Sequence, residues 1–455
     1  MVKQFFKQVL PAMAAFAFSG LYTIVDGFFI GRSVGDVGLA AVNIAYPLSA
    51  LLQAAGTGIG MGAAVCISVC RGRGDTRGER GHLGGAFLLL AAAGVLLAVS
   101  LFSFGTPALA ALGARGEVLE QAIVYLRVIL LGIPFQLAAT ALAPLIRNYD
   151  GALAAMGAMI AGFVTNIVLD ALFVSVFGWG MAGAAGATVI GQIVTAVPCA
   201  FYLWRVTFRI GSGPVRPAGH MCGSILRTAV SPFGLAMSPL FVIMLLNKAA
   251  SVYGGESSVA AYAVISYATA VVMLLLQGVG DGSQPQMSLY FGMDRPERTK
   301  AVRNLAYGFA AVTAVANIAA LCLLRVAIPV FFGASGEAAA MAAKAMPVFT
   351  VGFIPIAFCR VTTAYFYATQ HNRPAYVMVY GEAVLLALLL AFVFPRMIGM
   401  DGVWISLPVA QILLMLIGCG LLWRSRRNRV KDSRQVSNET VCDRMSTLQK
   451  MRSHM

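Results

Sequence analysis

The stretch from Ile160 to Gln192 reads IAGFVTNIVLDALFVSVFGWGMAGAAGATVIGQ and sets three oxygen-bearing side chains, Asn166, Asp170 and Thr188, in sequence apolar enough to lie in a membrane. A carboxylate at that depth costs several kcal/mol unless a bound cation or a partner offsets it, which makes it a candidate functional site. Asn166 and Asp170 stand four residues apart, so a helix stacks them on one face. The Gly178-Trp179-Gly180 turn folds the next apolar segment back antiparallel and brings the Thr188 hydroxyl toward the same point. Asp26 lies equally deep in the first apolar segment, Val9 to Ile30, with Tyr22 one turn before it on the same face. Pro11, near the start of that segment, removes a backbone hydrogen bond and permits a bend. Asp26 and Asp170 facing one cavity repel each other in a low dielectric. A proton on one of them relieves that repulsion, and so does Na⁺ held between both with the Asn and Thr oxygens.

The rest of the chain has the composition of a polytopic membrane protein: 455 residues, 59% hydrophobic and only 11% charged, where soluble domains carry about 25% charged residues. Apolar runs long enough to cross a bilayer as helices recur at 9–31, 38–70, 83–105, 122–146, 152–177, 182–204, 225–250, 258–290, 302–324, 344–368, 375–395 and 402–423. The expected fold is therefore all-α, with twelve transmembrane helices. Lys3 and Lys7 before an apolar run resemble a signal peptide, but the run continues through Asp26 to Ile30. The net charge of +15 sits mostly on one side of the membrane in this arrangement, in Lys3, Lys7, the 71–80 loop, Arg205 to Arg227, Arg295 to Arg303 and the tail. By the positive-inside rule both termini are cytoplasmic, and the basic residues read as topology signals, with no nucleic acid among the partners. The 8 cysteines form no CxxC pair and have no His at ligand spacing, so no metal site is expected beyond Na⁺ at the acidic cluster.

The two halves repeat at an offset of about 220 residues, pairing Ala40-Ala41 with Ala260-Ala261, Gly58 and Gly60 with Gly278 and Gly280, Pro134 with Pro355, Gly183 with Gly402, and Gln192 with Gln411. Six spans per half make this a parallel repeat: an amino-terminal lobe at 1–204, a cytoplasmic linker at 205–227, a carboxyl-terminal lobe at 228–424 and a polar basic tail at 425–455. The substrate path is expected between the lobes. The row Gly56-x-Gly58-x-Gly60-x-Gly62 follows no strand, so close helix packing is its expected use rather than phosphate binding. Its counterpart from Gln277 to Pro285 carries Asp281 and is expected to interrupt the eighth span. Asp281, Arg360 and Glu382 are the buried polar residues expected in the second lobe, with Arg360 able to neutralise either acid. No lysine follows a glycine, so the chain has no Walker A motif. No nucleophile elbow or zincin helix is present either, which leaves no basis for an enzyme.

At Asp26-Gly27-Phe28-Phe29-Ile30-Gly31-Arg32, Gly38 to Val42, Arg147 with Asp150-Gly151, Asn166 to Asp170, and Gly180 to Thr188, the sequence resembles the multidrug and toxic compound extrusion (MATE) family of cation-coupled antiporters. The resemblance covers residues from about 8 to 424. It implies two six-helix lobes, a cation site at Asp26, Asn166, Asp170 and Thr188, and a first helix, carrying Pro11 and Tyr22, that bends with the state of that site. The family's carboxyl-lobe acids have no clear match; Lys248 and Arg360 stand there instead. The expected activity is export of an organic, cationic and amphipathic solute by a monomer, in exchange for H⁺ or Na⁺ and without a cofactor, across the plasma membrane (the inner membrane of a Gram-negative cell). The alternative is a flippase of related fold for a lipid-linked precursor, whose phosphate head would want Arg147, Lys248 and Arg360 in the cavity.

Overall fold

The computed structural model describes residues 1–209, 215, 217–334 and 336–452, so the tip of the expected linker and the last three residues lie outside the described residues. The first half forms α1 (Val2–Ser33), α2 (Asp36–Arg73), α3 (Thr76–Ala111), α4 (Gly116–Arg147), α5 (Ala152–Asp170) continued by a π-helical turn (Ala171–Val176), and α6 (Gly180–Arg209). The second half begins with α7 (Gly219–Gly292), whose 74 residues would span about 110 Å if straight, far more than a bilayer. It breaks at Gly255, where φ is 67°, into α7a (219–254) and α7b (256–292). Then come α8 (Pro296–Leu324), the short α9 (Ala327–Phe331), α10 (Gly336–Val351) and α11 (Phe353–Ala368) meeting at a 45° bend, α12 (Asn372–Phe392) and α13 (Phe394–Arg452), itself broken at Ile398 and Gly399. Among the described residues, ten helices are long and apolar enough to cross a membrane, or eleven with the bent α10–α11 pair counted as one. Dividing α7 at Gly255 gives the expected twelve.

One expectation is corrected here. The segment from Gln277 to Pro285 does not interrupt its span: α7b runs through it, since its glycines fit tightly against other helices and that packing overrides the weak local propensity of Gly and Pro. The span expected at 344–368 is present with a 45° bend at Gly352, where α10 passes into α11.

The internal repeat is visible in the backbone. Residues with positive φ recur in register: Gly35 with Gly255, Gly74 with Asp294, Gly113 with Gly333, Asp150 with Gln370, and Gly180 with Gly399. Each pair ends or starts a helix at the same place in its lobe, where the left-handed conformation turns the chain. The glycine rows repeat the pattern in packing. Gly58 and Gly62 of α2 lie against Phe233 and Ala229 of α7a, while their counterparts Gly278 and Gly282 of α7b lie against Met13 and Val9 of α1. The alternate glycines pack within a lobe, Gly60 on Ala141 of α4 and Gly280 on Arg360 of α11. The row is a two-sided seam: one edge joins the lobes and the other builds each lobe.

The lobes meet at the membrane face that carries the basic loops. Phe5, Val9, Met61 and Val65 join the apolar core of the second lobe, and Ile225 joins a core of the first. Gly72 packs on Leu289 and Gly292, and Gly292 on Val69. Toward the opposite face the first lobe's core, built on Ile30, Ala41, Leu101, Ile129, Val174 and Met181, draws only on its own six helices. The two lobes are closed against each other at the basic face.

A methyl at Gly60 would strike the Ala141 backbone, whereas one at Gly280 would meet its nearest atom, the Arg360 carbonyl, at 3.2 Å. Gly60→Ala is therefore expected to destabilise the protein by about 1–3 kcal/mol and Gly280→Ala by less, with Gly308→Ala, in open space, as the neutral reference. Melting temperatures of the purified variants check the order.

Candidate functional site: a buried acidic cluster in the first lobe

Asp26 on α1, Asn166 and Asp170 on α5, and Thr188 on α6 come together inside the first lobe. Asp170 is fully buried, Asn166 nearly so, and Asp26 and Thr188 partly. Their helices converge because small residues line the crossings: Gly162 packs on Thr195 and Gly191, and Gly191 on Asn166. Asp170 is the last residue of α5 before the π-helical turn. Such turns widen a helix locally and are frequent at functional sites.

The two carboxyl groups lie side by side, close enough for a shared proton to bridge them. Asn166 donates through Nδ2 to Thr188 Oγ1 at 3.4 Å, and the Thr188 hydroxyl donates to the Ala184 carbonyl at 3.0 Å. With its proton so placed, the threonine turns lone pairs toward the cluster. Asp26 Oδ1, Asn166 Oδ1 and both carboxylate oxygens of Asp170 are buried and receive no hydrogen bond. Buried acceptors left in this state are rare and costly. A set of converging oxygens, two of them formally anionic, suits a proton or a hard cation such as Na⁺.

Tyr22 stacks on Phe163, centroids 5.2 Å apart and planes at 11°, with its hydroxyl toward Thr188. Pro11 lies about 22 Å along the helix from Asp26, in the half of α1 that packs on α7b, and α1 runs unbroken through it. Sequence reasoning missed Tyr125 of α4, which is buried beside both acids with Thr188 and Ser49 as neighbours. A phenol well inside an apolar span was the available signal.

The second lobe's polar residues are arranged differently. Glu382 is satisfied: Arg360 lies at 3.6 Å, Ser238 donates at 3.0 Å and Gln411 donates at 2.6 Å. Asp281 does not share that arginine's ion pair. It accepts from Gln277 and from the Tyr367 hydroxyl, both at 2.8 Å, and faces the buried Arg147 of the first lobe. At the repeat offset, Asp26, Asn166, Asp170 and Thr188 correspond to Leu246, Leu386, Leu390 and Leu407, all buried in the second lobe's apolar core. The oxygen cluster therefore has no copy there. Among the described residues no group of three or more His, Cys, Asp or Glu side chains could hold a metal ion.

Comparison with known proteins adds an independent line. The MatE family model matches residues 11–172 and 233–393, once in each half. The chain is 23% identical to the multidrug export protein MepA of Staphylococcus aureus (strain MRSA252) over 431 residues, 94% of each chain. It is 24% identical to the protein of the same name from Staphylococcus saprophyticus, again over 94% of each. Among solved structures, it resembles the outward-facing conformation of a multidrug resistance MATE family transporter of the MOP superfamily, with a TM-score of 0.86, 23% identity and 94% and 96% of the two chains covered.

The contrast between the two lobes gives a stability test. Asp170→Asn replaces oxygens that lack donors by an amide that can donate to Asp26, so the melting temperature should hold or rise. Glu382→Gln strips the charge partner from the buried Arg360 and should cost about 3 kcal/mol. Thermal unfolding of both variants in the same detergent checks the difference in sign.

Proposed function

The chain belongs to the MatE family, and from that membership we propose a secondary active antiporter that exports organic, cationic and amphipathic solutes in exchange for H⁺ or Na⁺ bound at Asp26, Asn166, Asp170 and Thr188. As a member of that family it is a multi-pass membrane efflux transporter and not an enzyme. The observation that carries the finer reading is the group of undonated oxygens on Asp26, Asn166 and Asp170. Charge buried without a partner persists where a ligand is part of the design. The coupling cation fills that role, and a cation that binds one conformation better than the other biases the access switch. Tyr22, stacked against α5, and Pro11, in the half of α1 that meets the other lobe, tie the first helix to the state of the site.

The names of the Staphylococcus relatives, multidrug export proteins, support varied organic solutes as the cargo. The 21 methionines offer adaptable apolar surface suited to them. Asp281, Arg360 and Glu382 are assigned to the second lobe's structure rather than to a second cation site, because each already has protein partners. The flippase alternative needs unpaired cationic groups, and Arg360 is engaged by Glu382 while Arg147 faces Asp281. One chain carries both lobes and the whole oxygen cluster, so a monomer suffices. The plasma membrane is the proposed location, with the basic face, both termini and the 205–227 linker between lobes cytoplasmic.

In proteoliposomes loaded with a fluorescent organic cation, imposed pH and Na⁺ gradients applied separately identify the coupling ion. Asp26→Asn and Asp170→Asn should each reduce gradient-driven transport to background with folded protein retained, and the double variant should be no worse than either single one. Near-normal coupled transport by both single variants would overturn the assignment. For topology, a reporter active only in the cytoplasm should work when fused after Arg424, and activity of an exclusively extracellular reporter there would reverse the orientation.

A further inference from the structure

At the basic face the two lobes are joined by a buried pair of side-chain amides. Asn148, just past the end of α4, donates through Nδ2 to Gln284 Oε1 at 3.1 Å, and Gln284 of α7b donates through Nε2 back to Asn148 Oδ1 at 3.2 Å. Both are almost completely buried. Each amide is also anchored to its own lobe. Asn148 accepts from the Ser68 hydroxyl at 2.6 Å and donates to the Pro144 carbonyl at 2.8 Å. Arg71 donates to its backbone carbonyl and lies over the ring of the next residue, Tyr149, 4.9 Å from the centroid. Tyr149 in turn donates to Glu79 at 2.8 Å. Across the seam, Gln284 donates to the Ser288 hydroxyl at 2.8 Å, which donates to the Ala368 carbonyl at 3.0 Å. The amide hydrogens of both residues are thus used, half within a lobe and half across the gap.

Two further cross-lobe interactions flank the pair, the first a hydrogen bond and the second electrostatic. Gln370 donates to the Cys66 sulfur at 3.7 Å, and Arg147, the residue before Asn148, faces Asp281, three residues before Gln284 on the same face of α7b. Ser68 and Ser288 are repeat counterparts, as are Asn148 and Ala368, so each serine bonds the equivalent place in its own lobe. Both amides break the symmetry, since the counterpart of Gln284 is Ala64 and that of Asn148 is Ala368. Each lobe carries one amide of its own, placed where the two meet across the seam.

We propose that Asn148 and Gln284 form a latch that holds the transporter closed at its basic face, and that each passage to the conformation open on that face requires this amide pair to part. The inference rests on the transporter reading, because only a chain with two access states needs a seam that opens. Reciprocal amide bonds suit such a seam: both halves are held ready by their own lobes, and both find water as the seam opens. With one partner made apolar, the closed state keeps a buried amide without its mate while the open state hydrates it. The population shifts toward opening.

Hydrogen–deuterium exchange of the full-length protein in lipid nanodiscs reads the seam directly and needs neither solute nor gradient. Gln284→Leu and Asn148→Leu should each speed exchange several-fold in peptides covering 69–78, 146–152 and 288–296, with no such increase in a peptide covering 30–38 at the opposite end. If the leucine variants do not fold, Gln284→Asn, which retracts the amide by one methylene, should give a smaller increase at the same peptides. Wild-type exchange at those peptides in every folded variant overturns the latch. So does acceleration spread evenly over both faces, which marks general loosening. A failed transport assay with intact latch behaviour would instead count against the antiporter reading.

Discussion

Two carboxylates from different helices, side by side in a low dielectric with three of their oxygens undonated, are the constraint on which this structure turns. Coulomb repulsion between them grows as water is withdrawn, and burial deprives each of hydration. The surrounding lobe makes no attempt to neutralise them. Asn166 spends its amide on Thr188, Thr188 spends its proton on Ala184, and among the described residues no basic side chain bonds either acid. Glu382 shows what the same chain does with an acid that is only structural: it supplies an arginine, a serine hydroxyl and a glutamine amide. The difference between the lobes is therefore not a shortage of available donors.

Duplication makes this asymmetry sharper. The two lobes share turn positions, glycine seams and serine anchors, residue for residue at the repeat offset. Against that shared frame, the positions of Asp26, Asn166, Asp170 and Thr188 are occupied in the second lobe by leucines that pack into its core. One lobe holds the oxygen cluster and the other is filled at the same place by apolar side chains.

Much of this was legible in the sequence because it follows from local pattern. Apolar run lengths give the spans, the four-residue spacing of Asn166 and Asp170 gives their common face, and the alternating glycines give close helix approach. What escaped depends on which helices meet. Arg360 had two acids within plausible reach, and only the α11–α12 contact selects Glu382. Tyr125 is one aromatic among many until α4 places it beside Thr188. Asn148 and Gln284 are 136 residues apart, and each alone reads as an ordinary polar residue near a helix end or within a span. Gly and Pro in the 277–285 stretch suggested a break, but a helix clamped between α1 and α11 does not need strong intrinsic propensity.

The first helix joins the two themes. Its Tyr22 and Asp26 pack against α5 at the acidic cluster, while Val9, Ala12 and Met13 pack on Gly278 and Gly282 of the opposite lobe. A continuous helix transmits displacement along its length far better than a chain of loose contacts. The seam it enters leaves little slack, because a methyl at Gly282 or Gly278 would stand 2.7 Å from the α1 backbone. α7b carries those glycines on one side and Asp281 and Gln284 on another, so the same helix that receives α1 also holds its half of the amide pair. A change of charge at Asp26 that moves α1 by a fraction of its diameter must shift α7b, deform α1 or open the seam. Pro11 lies between Val9 and Ala12, at the point where that choice is made, and its missing backbone hydrogen bond lowers the cost of deforming α1 there.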